Sequence, residues 1–79
     1  MRLSIISLKG IQFEGDAASL NLKTRSGEIT VLDHHRPLVA QLSSGQAIVT
    51  KPDGNKMEFY IASGFLEVGG NNQVTILAG

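Results

Sequence analysis

The sequence predicts an all-β domain built as a two-layer antiparallel β-sandwich, and three observations carry that expectation. Strand-length segments with alternating apolar and polar residues recur every eight to twelve positions along the 79 residues. Clusters of Gly, Asn, Asp, Ser and Pro separate them at the places where turns are needed. No window holds a capped apolar repeat of helical period, so a helix of several turns is not expected.

Taken in order, the first segment is Arg2 to Leu8, apolar and β-branched with serines interspersed, and its phase slips between Ile5 and Ile6. A β-bulge in this opening strand would explain the slip. Ile11, Phe13 and Gly15 share a phase opposite to Gln12, Glu14 and Asp16, which gives a second, amphipathic strand. Ser19 to Lys23 turns Leu20 and Leu22 inward, and Thr24-Arg25-Ser26-Gly27 reads as a turn in which Gly27 is free to adopt positive φ. Ile29 and Val31 alternate with Glu28 and Thr30 in a fourth strand, which runs into both histidines and then Pro37. Proline lacks an N–H and biases its predecessor toward extended backbone, so pairing stops there and the histidines sit on a polar loop.

After that loop, Leu38, Ala40 and Leu42 face one way and Val39 and Gln41 the other. Ser43-Ser44-Gly45 turns the chain into a strand over Gln46 to Lys51, and Pro52-Asp53-Gly54-Asn55 has hairpin-turn chemistry. Met57, Phe59 and Ile61 alternate with Glu58 and Tyr60; Ser63-Gly64 interrupts; Phe65 to Val68 resumes; Gly69-Gly70-Asn71-Asn72 makes another tight connection; Val74 and Ile76 close the core. The expected interior is Phe13, Leu20, Leu22, Ile29, Val31, Leu42, Phe59, Ile61, Leu66, Val74 and Ile76.

Composition bounds the function classes. Seven basic and seven acidic residues cancel to a formal net charge of +0, and without a basic stripe nothing steers the chain toward a phosphate backbone. Cys 0 rules out disulfides and thiolate metal sites. The first apolar segment is too short and too broken by serines for a signal sequence or a span, so no membrane insertion and a cytosolic setting are expected. A single small domain, without linker or repeat, is the expected organisation.

The chemistry-bearing residues favour no reaction. Asp33-His34-His35 are adjacent, and neighbours in sequence do not converge on one tetrahedral ion, so they read as solvated loop residues with no metal ligand role. No Gly-x-Ser-x-Gly elbow accompanies the serines, and the run Gly69 to Asn72 leads into a strand where a phosphate loop needs a helix. Carboxylates are scattered singly rather than paired. No catalytic residue and no cofactor are expected. Val39, Tyr60 and Phe65 lie out of phase with the apolar set of their own strands, which fits either ordinary exposed surface or a docking patch.

Four stretches together resemble one family. Gly27-Glu28-Ile29 with the His35 loop and Pro37-Leu38, then Ser63-Gly64-Phe65-Leu66-Glu67-Val68, Val74-Thr75-Ile76-Leu77-Ala78 and Phe13-Glu14-Gly15 are similar, in order and spacing, to the N-terminal domain of the epsilon subunit of F-type ATP synthase. The chain departs in the central loop, where the family usually has Pro-Gly-His-Ala-Pro and this sequence reads Asp33-His34-His35-Arg36-Pro37. The resemblance implies a flattened sandwich of about ten strands. It also implies a non-catalytic stalk role between the gamma subunit and the membrane c-ring, and no nucleotide binding by this domain. It makes Val39, Tyr60 and Phe65 candidates for gamma, and Glu28 and His35, extended by Asp33, His34 and Arg36, candidates for the c-ring. The family's C-terminal helical hairpin would begin just after Ala78. Alternatives read from the residues are a carbohydrate-binding sandwich, which the 5% aromatic content and absence of Trp disfavour, and a cupin-like metal enzyme, which would need an inward His cluster.

Overall fold

The computed structural model describes residues 1–79 and contains nine strands and no helix. In chain order they are β1 (Arg2–Ser7), β2 (Gly10–Asp16), β3 (Ser19–Thr24), β4 (Gly27–Leu32), β5 (Leu38–Leu42), β6 (Gly45–Thr50), β7 (Lys56–Ile61), β8 (Gly64–Val68) and β9 (Gln73–Ala78). Hydrogen bonding runs β2-β1-β9-β8-β5-β3-β6-β7, with β4 on β3 alone. The passage from β5 to β3 is a single residue pair, Thr24 with Leu42. The sheet therefore folds there into two layers, β2-β1-β9-β8-β5 and β4-β3-β6-β7. On the opposite side, edge strands β2 and β7 meet through Phe13 and Phe59, ring centroids 5.9 Å apart and edge to face.

The all-β class, the two-layer build and the nine strands agree with the flattened sandwich of about ten strands that was expected. One pairing differs from an antiparallel build: β1 runs parallel to β9, with Leu3 opposite Val74 and Ile5 opposite Ile76. A parallel pair needs a long connection. The first and last strands have the whole domain between them, so the requirement is met.

The irregularity expected at Ile5 and Ile6 is present, but the extra residue is on the partner strand. Ile5 pairs with Phe13 and Ile6 with Ile11, leaving Gln12 unmatched. The bulge reverses the facing of β2 between its two halves. Phe13 packs against the core, whereas Ile11, expected to share its face, is exposed.

Fifteen hydrophobic residues form one core cluster. Of the expected interior, Leu20, Leu22, Val31, Leu42, Ile61, Leu66, Val74 and Ile76 are buried, while Phe13, Ile29 and Phe59 are half-buried against it. Leu3, Ile5, Ala47, Val49 and Val68 complete the alternating inward set. Gly64 permits the closest backbone approach, with φ of 145° and a site where a Cβ would stand 2.1 Å from the Leu77 carbonyl oxygen. At the β3–β4 turn, buried Thr24 accepts from the Ser26 N–H and donates to the Gly27 carbonyl, and Gly27 takes φ of 123°.

Candidate docking surfaces

The outer face of the β2-β1-β9-β8-β5 layer carries an apolar row across four of its strands, with Gln41 of β5 at its end. Because partners across a ladder project to the same side, the register Gln41–Phe65, Phe65–Leu77, Leu77–Ile6 and Ile6–Ile11 lines these residues up in sequence. Phe65, Leu77 and Ile11 are 53%, 53% and 61% exposed, and Val39, diagonal to Phe65, is 71% exposed. The adjoining row on this face starts at Val39 and is otherwise polar, with Val39 opposite Glu67 and Glu67 opposite Thr75. An apolar strip with acidic residues beside it, on a rigid sheet, suits burial against another protein.

Val39 and Phe65 thus share a face, and Tyr60 does not. Tyr60, on β7 in the other layer, stands opposite Gln46 of β6, and with exposed Leu8 it borders a recess of about 530 Å³ between β7 and the β1–β2 turn. Leu77, Ile6 and Ile11 were not singled out from the sequence. Leu77 and Ile6 are each adjacent to a core residue, so a period-two reading could have found them; Ile11 is turned outward by a bulge in its own strand.

Glu28 and the histidine loop occupy opposite ends of β4, separated by about 17 Å for the five-residue rise from Glu28 to Asp33. At the first end the Glu28 carboxylate accepts from the Asn21 amide at 3.0 Å, and that amide also reaches Thr30 Oγ1 at 2.9 Å. At the second end Asp33, His34, His35 and Arg36 come together as an exposed tip. Between them β4 keeps one edge unpaired, so the two ends are joined by an open strand edge.

The tip is ordered by contacts from other parts of the chain. The Met1 α-ammonium donates to the Asp33 carboxylate and, at 2.9 Å, to the Ala17 carbonyl. The Asn72 amide donates to Asp33 at 3.2 Å and accepts from the His34 N–H at 2.7 Å. The hydrogen bond from the ammonium, then that from Asn72, holds the Asp33 carboxyl below its ordinary range, against a small opposing effect of desolvation. His34 has φ of 60°, left-handed for a residue with a Cβ. The His35 Nδ1 lies 2.7 Å from the Arg36 carbonyl oxygen.

No three His, Asp or Glu side chains converge as a metal site. Of the four aromatic side chains, Phe13 and Phe59 pack on each other, and the two exposed ones, Tyr60 and Phe65, lie in different layers.

The model of one family, described as the ATP synthase delta/epsilon chain β-sandwich domain, matches residues 1–79. The chain is similar to the ATP synthase epsilon chain of Endomicrobium trichonymphae, 39% identical over 76 residues that make up 96% of this chain and 54% of that protein. Among solved structures it is similar to a chain of the Euglena gracilis mitochondrial ATP synthase, in an assembly of OSCP, F1 and c-ring in rotational state 1. That match has a TM-score of 0.93 and 26% identity and covers 99% of this chain and 49% of that one. A chain in the Tetrahymena thermophila mitochondrial ATP synthase central stalk and c-ring matches with a TM-score of 0.83 at 13% identity, over 99% of this chain and 62% of that one, and speaks to the fold alone. The chain spans about half the length of the curated relative it matches.

Proposed function

Because the chain belongs to the ATP synthase delta/epsilon β-sandwich family, we propose that it works as a non-catalytic rotor element of an F-type ATP synthase, joining the gamma subunit to the membrane c-ring. The observation that carries the proposal is the division of its surface. One sheet face carries an apolar row across four strands, whereas β4 has charged and polar side chains at its two ends, with the exposed Leu32 beside the second. The apolar face, with Val39 and Phe65 from the sequence candidates and Leu77, Ile6 and Ile11 beside them, serves gamma in a long-lived contact. Tyr60 takes part only if gamma also reaches round to the recess beside Leu8.

The β4 edge serves the c-ring, where Glu28 at one end and Asp33, His34, His35 and Arg36 at the other meet polar loops in a smaller and wetter contact. A strand edge laid along the ring meets both ends at once, which a contact through one tip of the sandwich does not. The coupling is mechanical: a close-packed interior transmits torque with little deformation. The domain stands as a peripheral part of a membrane-associated complex, on its cytoplasmic face, and binds no nucleotide.

Affinity of the purified domain for isolated gamma and for isolated c-ring, over a series of salt concentrations, tests this. Gamma binding is expected to resist salt and ring binding to weaken with it; the absence of binding to either partner at every salt concentration contradicts the proposal.

A further inference from the structure

We infer that Asn72 is the positioning residue for the His34 to Arg36 loop, an inference that rests on the reading of this loop as a ring contact. Asn72 belongs to the β8–β9 turn and lies 38 positions from His34 in sequence, yet its side chain grips the loop at two consecutive residues. Its Oδ1 accepts from the His34 backbone N–H at 2.7 Å and its Nδ2 donates to the Asp33 carboxylate at 3.2 Å. Its own carbonyl accepts from the Arg2 N–H at 3.0 Å, which ties the turn to the start of β1. The grip is therefore anchored in the sheet.

The loop needs such an anchor. His34 holds a left-handed backbone, φ 60°, and a residue with a Cβ stays there only where its surroundings fix it. Within the loop the only backbone hydrogen bond is from the His35 N–H to the Leu32 carbonyl, at 3.2 Å. The side chains of His34, His35 and Arg36 are exposed, and the single contact among them is that of the His35 ring with its neighbour's carbonyl. Their direction is set by the backbone, which the Met1 ammonium holds at Asp33 and the His35 N–H holds at Leu32, and Asn72 is the one side chain that fixes His34 itself. A primary amide suits the task because it offers an acceptor to an N–H and a donor to a carboxylate from one planar group. A carboxylate at this position keeps the acceptor but turns the second contact into repulsion.

Asn72→Gly isolates this role, since Asn72 has φ of 57° and glycine occupies that region without strain. The backbone turn persists while both side-chain bonds vanish. Asn71→Gly is the matched control: φ is 60° there too, and the Asn71 side chain makes no hydrogen bond to the loop. Two readouts are taken on the folded domain, the hydrogen-exchange rate of the His34 amide and the affinity for isolated c-ring, with affinity for gamma as reference. The expected result for Asn72→Gly is exchange of the His34 amide faster by about tenfold, ring binding weaker by about three- to tenfold, and gamma binding unchanged. Asn71→Gly leaves all three at wild-type values. Unchanged His34 exchange in Asn72→Gly overturns the inference, and so does faster exchange with ring affinity still at the wild-type level. Failure of the wild-type domain to bind the ring refutes the contact reading itself, and the exchange rate still reports whether Asn72 holds the loop.

Discussion

Replacing Val39 by Asp tests the gamma face where it is most open, and its cost can be worked from two terms. Val39 is 71% exposed in the domain, so most of the ~1.5–3 kcal/mol available from burying a valine is still to be gained at an interface. A carboxylate there forfeits that gain and is desolvated without a partner, a situation that costs about 3–5 kcal/mol where a buried charge is left unpaired. Together the loss is several kcal/mol, at least about two decades in Kd at ~1.4 kcal/mol per decade. The same change also sets the new carboxylate opposite Glu67 on β8, which destabilises the free domain by ~0.2–1 kcal/mol, as like charges on facing strands do. Thermal melting must therefore accompany titration calorimetry against gamma, and Val39→Ala, which loses apolar area without adding charge, should fall between Val39→Asp and wild type. If Val39→Asp melts within a few degrees of wild type and still binds gamma within threefold, the apolar row is not the gamma face.

Further outcomes follow from particular contacts. Glu28→Ala should lower ring affinity by only the ~0.2–1 kcal/mol of an exposed charge pair, with the difference fading as salt is added in the same binding assay. Gly64→Ala should destabilise far more than Gly27→Ala in chemical denaturation. Both have positive φ, but an added Cβ at Gly64 meets the Leu77 carbonyl oxygen at 2.1 Å whereas at Gly27 it meets nothing within 4 Å; the shared conformational strain is ~1–3 kcal/mol, and the excess is the backbone clash. Asp33, with its pKa held low, contributes stability that is present above its ordinary unfolded value near 4 and lost as pH falls through the lower folded value. Asp33→Asn should flatten that acid limb in pH-dependent melting. Titration calorimetry with Mg-ATP should give no saturable heat.

Much of this architecture is legible in the chain because local rules and burial agree. Gly27 sits in the turn where positive φ was expected, and Pro52 to Asn55 and Gly69 to Asn72 close the hairpins that their composition announced. Edge strands were harder to read. The alternation of Met57, Phe59 and Ile61 is real, yet their burial rises along the strand from exposed to buried, because β7 is an edge strand and only its Ile61 end reaches into the core cluster. The parallel β1–β9 pair leaves no local signal, since it joins residues about 70 positions apart and no turn chemistry specifies it. The candidate surfaces depended on the same non-local information. The resemblance made Glu28 and His35 candidates for one ring contact, whereas six extended residues carry them to opposite ends of β4. Out-of-phase apolar residues identified Val39 and Phe65 correctly as outward, but only the strand order reveals that Tyr60 belongs to the other layer and that Leu77 and Ile6 complete the row. Asn72 reads as a turn residue in sequence, and its hold on the histidine loop emerges only once the β8–β9 turn lies against it.

The central claim, a single rigid domain bridging two rotor partners through two different surfaces, is tested most directly by sedimentation of the wild-type domain with a purified gamma and c-ring subcomplex from which epsilon has been removed. Saturable, stoichiometric co-sedimentation is expected, with affinity higher than for either partner alone because the second contact forms intramolecularly. Raising the salt should lower it toward the value for gamma alone. Binding no tighter than to gamma alone at low salt would mean that the β4 edge makes no ring contact, and the absence of co-sedimentation under any condition would contradict the rotor assignment.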